Sequence, residues 1–391
     1  MPNAAFDSRT KELLKTLVDT RQLKNFYHLT GKLGPTAQIE GIGEVIVLCS
    51  NNYLGLADHP EVMAAGKEGI DKFGGGTASV RFICGTLTCH RELEKTIARF
   101  VGTPAALSYV SCWCANEALF PTLAGEGDVI LSDELNHASI IDSIRLVPKS
   151  VDRAVYKHSD LDDLESKLKQ HSGNAARWVV TDGVFSMEGD VCHLPQLAEL
   201  CHRYGALLVV DDSHGIGVLG KSGRGTPEHF GLHGHIDMLT GTLGKALGGA
   251  AGGYVAASEH AVEVLRQRSR PSLFSNAVPA TVACSARRAI EIVEREPQRV
   301  AKLHENVRTM RAGLSKLGFE LHDSPTAIIP IMIGNEAEAI AKSKRLLELG
   351  VMVIGFGYPV VPKGQARLRV QVSAALEKEH LERALEAFAK L

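Results

Sequence analysis

From about residue 105 onward, short unbroken apolar runs alternate with longer stretches whose apolar residues recur at helical spacing. The runs are Ala105 to Tyr109, Val129 to Leu131, Trp178 to Val180, Ala206 to Val210 and Ile236 to Leu239. Apolar runs without a polar alternate are what strands buried on both faces show, so the pattern predicts an α/β fold with a mostly parallel sheet covered by helices. Ahead of that region, Leu13, Leu14, Leu17, Val18 and Leu23 predict an amphipathic helix from Ser8 to about Tyr27. A hairpin follows at Ala37 to Gly43, ending in Val45 to Leu48, and helices start at His59 and near Thr88. A further helix, with Leu119, Phe120 and Leu123, follows the small polar turn Ser111 to Asn116.

After Gly253 the spacing predicts a helix at Val262 to Arg268, a polar proline-containing connection from Ser269 to Asn276, and one long helix from Pro279 through Arg311. From about Phe319 the pattern changes to a smaller α+β unit, with strands at Ala327 to Met332, Val351 to Ile354 and Leu368 to Val372. The expected organisation is an N-terminal helix and hairpin arm over 1–50, a large domain over 51–280 and a small C-terminal domain over 281–391. No repeats, low-complexity tracts or long linkers interrupt it.

Composition narrows the function classes. The 391 residues carry 43 Lys and Arg against 45 Asp and Glu, a formal net charge of -2, which predicts no nucleic-acid or membrane partner acting over the whole surface. The first residues, Met1-Pro2-Asn3-Ala4-Ala5-Phe6, lack the basic-then-apolar order of a secretory leader. No stretch approaches the roughly 18 apolar residues of a membrane span. Eight scattered cysteines predict free thiols and a reducing cytoplasm. Cys112 and Cys114 are too close together, and too alone, for a metal site, so none is expected.

The most unusual segment is Leu239-Thr240-Gly241-Thr242-Leu243-Gly244-Lys245-Ala246-Leu247-Gly248-Gly249. A phosphate-binding P-loop needs glycine six residues before its lysine and Ser or Thr after it; Leu239 and Ala246 occupy those places. A dinucleotide fingerprint fails as well, because Thr242-Leu243 follows Gly241. Two readings remain for the segment alone: a solvated glycine-rich loop, or a lysine whose amine is kept neutral for Schiff-base chemistry with a phosphorylated aldehyde. The rest of the chain favours the second. Ser186, Asp211, His214 and Lys245 all follow the carboxyl ends of predicted parallel strands, where open α/β sheets bind ligands. Asp211 can keep a pyridine nitrogen protonated, and His214 with Ser186 can bond a phenolic oxygen; a simple Asx-turn and helix cap is the bland alternative. The strand, turn and helix start around Ser111 to Asn116 form an anion site or an ordinary helix cap. His137, at another helix start, can stack on a ring and move protons, although a lone histidine is more often structural.

Taken together these motifs resemble the α-oxoamine synthase family of fold-type I pyridoxal-phosphate enzymes. The resemblance runs from Asn51 to at least Ala374. It is carried by Ala78-Ser79-Val80-Arg81-Phe82-Ile83-Cys84-Gly85-Thr86, Asp133-Glu134-Leu135-Asn136-His137-Ala138-Ser139-Ile140-Ile141-Asp142 and Thr242 to Gly249. Arg266-Gln267-Arg268-Ser269-Arg270-Pro271 and Tyr358-Pro359-Val360-Val361-Pro362-Lys363-Gly364-Gln365-Ala366-Arg367 add to it.

The resemblance implies a transferase that joins glycine to acetyl-CoA, giving 2-amino-3-oxobutanoate and CoA, with the reverse reaction serving threonine breakdown. It implies pyridoxal 5'-phosphate on Lys245, Asp211 at the ring nitrogen, His214 and Ser186 at the phenolic oxygen, and His137 on the ring face. Backbone amides of Cys112 and Trp113, with the Thr242 hydroxyl, would hold the phosphate. Ser275 and Asn276 would reach it from the neighbouring subunit of a homodimer. Asn51 and Arg369 would hold the amino-acid carboxylate. Departures occur at Trp113-Cys114, where the family usually has Phe-Asp, and at Ser272 and Gly357, where bulkier residues are common. The last two raise the expectation of an acyl group longer than acetyl, as in 8-amino-7-oxononanoate synthesis. A non-catalytic partner subunit is the reading from another class, and such subunits lack the lysine.

Overall fold

The computed structural model describes residues 3–20, 22–358 and 360–391. Met1, Pro2, Arg21 and Pro359, which fall in stretches discussed above, lie outside the described residues.

The chain opens with α1 (Ala4–Asp19), capped by the Asn3 side chain, which accepts from Phe6 N. The helix therefore starts and stops earlier than its apolar spacing predicts. Its stripe of Phe6, Leu13, Leu14, Leu17 and Val18 is exposed. The hairpin β1 (Thr36–Ile39) and β2 (Gly43–Val47) follows as expected, then α2 (Pro60–Phe73), a wide helical turn at Arg81–Gly85, and α3 (Thr88–Val101).

The large sheet begins with β3 (Ala105–Tyr109), α4 (Cys112–Leu123), β4 (Val129–Asp133), α5 (Ala138–Arg145), β5 (Asp152–Tyr156), α6 (Leu161–Gln170), β6 (Arg177–Asp182), α7 (Leu194–Tyr204) and β7 (Leu207–Asp211). It continues through α8 (Thr226–His229), β8 (Met238–Thr242), β9 (Gly253–Ala257), α9 (Glu259–Arg268) and α10 (Arg270–Phe274). Seven strands lie in the order β3-β9-β8-β7-β6-β4-β5. Only β9 runs against the rest, pairing antiparallel with both β3 and β8. The sheet is therefore mostly parallel, as the unbroken runs predict. Helices on both faces bury two apolar clusters, one around Val179, Leu208, Val210 and Leu239, the other around Leu107, Ile130, Val180, Val209 and Val255. Alternate residues of one strand thus feed opposite clusters, as strand geometry requires.

The C-terminal part comprises α11 (Ala280–Arg295), α12 (Gln298–Lys316), β10 (Ile328–Gly334), α13 (Glu336–Glu348), β11 (Val351–Met352), β12 (Ile354–Phe356), β13 (Ala366–Gln371) and α14 (Lys378–Phe388). Strands β10, β13 and β12 make one small sheet, and β11 adds in parallel to β2 of the N-terminal hairpin.

Two expectations need correction here. The single long helix from Pro279 to Arg311 is two, broken at Glu296 and Pro297. Proline lacks the amide proton and disfavours helical geometry in the residue before it, and Glu296 leaves the helical region with φ -124° and ψ 62°. The connection from Ser269 to Asn276 contains the short helix α10, with Pro271 in its first turn, where the missing N–H costs nothing. Strand β9 has no counterpart in the sequence reading, because Gly253 and two alanines dilute its apolar signal.

No described helix is long and apolar enough to cross a membrane.

Candidate active site

A cavity of about 230 Å³ opens at the carboxyl ends of the parallel strands. Its wall includes Ser111, Cys112, Trp113, His137, Ser139, Asp182, Val184, Asp211, Ser213, His214, Thr242 and Lys245. Strand termini supply most of the polar groups: Asp182 ends β6, Asp211 ends β7 and Thr242 ends β8. Lys245 follows Thr242 by three residues, in the glycine-rich turn before β9.

Asp211 is buried and well supplied with donors. Ser213 N donates to its Oδ1 at 3.0 Å, and Asn116 Nδ2 donates to its Oδ2 at 2.8 Å. The Cys112 thiol lies 3.6 Å from the same Oδ2. Burial pushes this carboxyl up, but the hydrogen bonds from Ser213 and Asn116, with His137 and Lys245 nearby, outweigh it and hold the group below its usual range. Asp211 is thus an anion at neutral pH. The Asx-turn to Ser213 and the cavity role, posed as alternatives by the sequence, coexist. Burial drives the Lys245 amine down against the opposing pull of Asp211, so a neutral nucleophile is more accessible than for a solvated lysine.

Both histidines of the wall are held at Nδ1. Asn116 Nδ2 spends its protons on Asp211 and on Ser139 Oγ, at 2.9 Å. Ser139 therefore donates its own proton to His137 Nδ1, 2.8 Å away, and Ser139 N points at the same nitrogen at 3.2 Å. His137 is left carrying its proton on Nε2, and burial holds it below the usual histidine range. Its ring edge meets Trp113, with centroids 6.1 Å apart. On the other side, Gln371 Nε2 donates to Tyr53 Oη at 2.9 Å and to Asn51 Oδ1. Tyr53 Oη lies 2.8 Å from His214 Nδ1 and 3.4 Å from Asn51 Oδ1. Burial and the nearby cations of Lys245 and Arg369 keep His214 neutral, well below its usual range.

The anion end of the cavity is the start of α4, where Ser111 Oγ caps Cys114 N at 3.1 Å. The first amides of a helix have no partners within it and attract anions. Gly253 of β9 lies against this start; a β-carbon there would run into the backbone of Cys112. The Thr242 hydroxyl sits beside it, donating to Gly252 O at 3.2 Å and accepting from Gly244 N at 3.1 Å.

The remaining predicted residues lie elsewhere. Arg369 does not line the cavity. Its Nη1 donates to Ser186 O at 2.9 Å, its Nη2 to Gln371 Oε1 at 3.1 Å, and its guanidinium carbon is 4.7 Å from the Phe356 ring centre. Its Nε is buried without a partner. Through Gln371, Arg369 and Asn51 belong to one network that ends on His214. The Ser186 side chain is absent from the cavity wall; its carbonyl ties the 184–191 turn to Arg369, and Arg367 ties the same turn through Met187 O at 2.9 Å. The base of that turn is held by His158, whose ring bonds Asp133 at 3.0 Å and Asp190 at 2.9 Å. Ser275 and Asn276 are also away from this chain's cavity. Asn276 bridges to Val80, beside the exposed apolar residues Phe82, Ile83 and Phe274. Ser272 is buried in α10, and Gly357 faces the Glu336 side chain; neither lines the cavity.

Sequence reasoning missed Asp182, Asn116, Ser139, Tyr53 and Gln371. Asp182 offered the same signal as Asp211, an apolar run ending in aspartate. The others act through contacts across the fold that no local pattern reports.

The residues fit pyridoxal phosphate: an anionic carboxylate, an amine pushed down by burial, two N–H-bearing imidazoles and a helix start share one cavity. Comparison with known proteins agrees. Residues 43–388 match the family model described as aminotransferase class I and II. The chain is 48% identical over 349 residues to the 2-amino-3-ketobutyrate coenzyme A ligase of Escherichia coli, covering 89% of this chain and 87% of that one. It is 47% identical over 358 residues to the 8-amino-7-oxononanoate synthase of Symbiobacterium thermophilum, covering 91% and 90%. Among solved structures, a serine palmitoyltransferase from S. paucimobilis with bound PLP and myriocin superposes with a TM-score of 0.91 at 30% identity, over 99% of this chain and 97% of that one. A fold-type I architecture, this cavity and these similarities together place the chain in the aminotransferase class I and II family, within its α-oxoamine synthase branch.

Proposed function

We propose that the chain is a pyridoxal-phosphate-dependent acyltransferase that condenses glycine with acetyl-CoA to 2-amino-3-oxobutanoate and CoA, or runs that reaction in reverse. The observation that carries the reading is Lys245, its amine pushed down by burial, sharing a cavity with an ionised Asp211 and the start of α4. When bound, the cofactor supplies an aldehyde for Schiff-base formation and a ring that accepts the electrons of a carbanion. Lys245 would hold the aldehyde and, as a free amine, would take the proton from the substrate α-carbon. Asp211 keeps the ring nitrogen protonated. His214 would offer a ring N–H to the phenolic oxygen, and His137 would stack on the ring face. Cys112 and Trp113 amides and the Thr242 hydroxyl hold the phosphate, while Arg369 and Asn51 hold the substrate carboxylate.

Ser275 and Asn276 act in the cavity of a second copy. The apolar residues Phe82, Ile83 and Phe274 beside them support a homodimer. A longer acyl group is the second reading, favoured by 47% identity to an 8-amino-7-oxononanoate synthase. A non-catalytic partner role is disfavoured by the intact lysine. Release of free thiol, measured with glycine and a panel of acetyl-, propionyl- and longer acyl-CoAs, decides between them. A sharp preference for acetyl supports the leading reading, and a preference for long chains replaces it. Absence of a visible band that borohydride traps on Lys245 rejects both.

A further inference from the structure

Asn116 stands where three elements meet behind the cavity wall. It sits in the second turn of α4 and is 1% exposed. Its Nδ2 donates one proton to Asp211 Oδ2 at the end of β7, 2.8 Å away, and the other to Ser139 Oγ in α5, 2.9 Å away. Ser139 Oγ is in turn 2.8 Å from Nδ1 of His137, the residue that caps α5. A single amide group thus joins the buried carboxylate to the imidazole. The backbone is pinned as well, because the Ser143 hydroxyl donates to Asn116 O.

The amide has no freedom to turn over. Turning it would set its oxygen against Asp211 Oδ2, an acceptor with no proton to give. Held this way round, Asn116 Oδ1 is buried with no partner. An unpaired buried acceptor is rare and calls for a reason. An apolar side chain of the same shape, such as leucine, would fill the space without leaving one. Packing alone therefore does not account for an asparagine here; its two protons do.

We propose that Asn116 is a positioning residue for the cofactor slot, setting Asp211 and, through Ser139, His137 in one rigid arrangement. The carboxylate for the ring nitrogen and the imidazole for the ring face then keep a fixed separation. Ser213 N holds Asp211 by Oδ1 alone, and the Cys112 thiol, at 3.6 Å, is a weak donor to Oδ2. Asn116 supplies the strong second point that stops the carboxyl group from pivoting. The Ser139 hydroxyl can turn either way until Asn116 occupies its lone pair and directs its proton to His137. This inference rests on the pyridoxal-phosphate reading, which a borohydride-trapped band on wild-type Lys245 establishes on its own.

The test compares Asn116→Leu, Ser139→Ala and the double variant, each loaded with pyridoxal phosphate. Three quantities are read: the apparent dissociation constant of the cofactor, turnover per trapped cofactor, and KM for the amino acid. Asn116→Leu keeps the shape and removes both protons. Cofactor binding should weaken by about tenfold and turnover per trapped cofactor should fall by about 100-fold, with KM within about twofold of wild type. Ser139→Ala cuts only the His137 arm, so turnover should fall by about tenfold with cofactor binding within about threefold of wild type. Because Asn116 reaches His137 through Ser139, the double variant should be no more than about threefold worse than Asn116→Leu. A further tenfold loss in the double variant marks two independent contacts and overturns the proposal. Normal turnover per trapped cofactor in Asn116→Leu, with only the melting temperature lowered, marks a packing role and overturns it too. If Asn116→Leu does not fold, Ser139→Ala still decides, since wild-type turnover in that variant breaks the link to His137.

Discussion

The cavity has two sides built on different principles. The sheet side carries Asp182, Asp211, Thr242 and Lys245 at the ends of neighbouring strands, and their spacing is set by backbone register. The rim behind His214 carries Asn51, Tyr53, Gln371 and Arg369, which come from opposite ends of the chain and meet one another through side-chain hydrogen bonds. Register cannot drift without breaking the sheet; a side-chain network can be retuned one residue at a time. On the proposed roles, bond-making groups fall on the rigid side and substrate reading on the adjustable one.

That contrast breaks first at Lys245. Lys245→Ala should lower turnover by about 1,000-fold or more, because no other amine lines the cavity wall to replace it. Near-normal turnover would mean that the sheet side does not hold the chemistry. The rim should respond in kind as well as degree. Arg369→Ala removes the proposed carboxylate partner and should lower kcat/KM for the amino acid by about 100-fold, chiefly through KM, leaving the trapped visible band intact. Loss of the band in that variant would join rim and wall into one unit.

A smaller effect separates position from contact. Tyr53→Phe deletes the hydroxyl bonded to His214 Nδ1, and turnover should fall about three- to tenfold with unchanged KM. The smallest effect concerns the turn that couples the two sides. Burial lowers the pKa of His158, yet Asp133 and Asp190 outweigh it and hold the imidazole up at about 10. The folded value lies above the unfolded one of about 6.5. The stabilisation is therefore complete below that pH and is lost as pH rises toward the folded value. Wild-type melting temperature should fall by a few degrees between pH 7 and pH 10, and His158→Gln should flatten that decline.

The sheet side was the legible one. Apolar runs marked the strands, and an ionisable residue just past each run marked a place in the cavity. Asp211 and Lys245 were found in this way, and Asp182 carried the same mark. The rim left no such trace. Tyr53 sits in a short polar turn and Gln371 at the end of β13, and nothing in either local sequence says that they meet over His214. Periodicity also could not separate α11 from α12, since the spacing continues across Pro297, where the backbone does not. The antiparallel β9 was lost for the reverse reason: small residues suit its packing and silence its hydropathy.

One of those small residues has a wider consequence. Gly253 fits against Cys112 because it has only hydrogen where any other residue has carbon. The gap between β9 and the first turn of α4 is thus set by the absence of an atom. A methyl group there would lever the amide cluster away from the lysine loop and lengthen the distance a phosphorylated ring must span. Redesign for larger or smaller cofactor analogues has its gauge at this point.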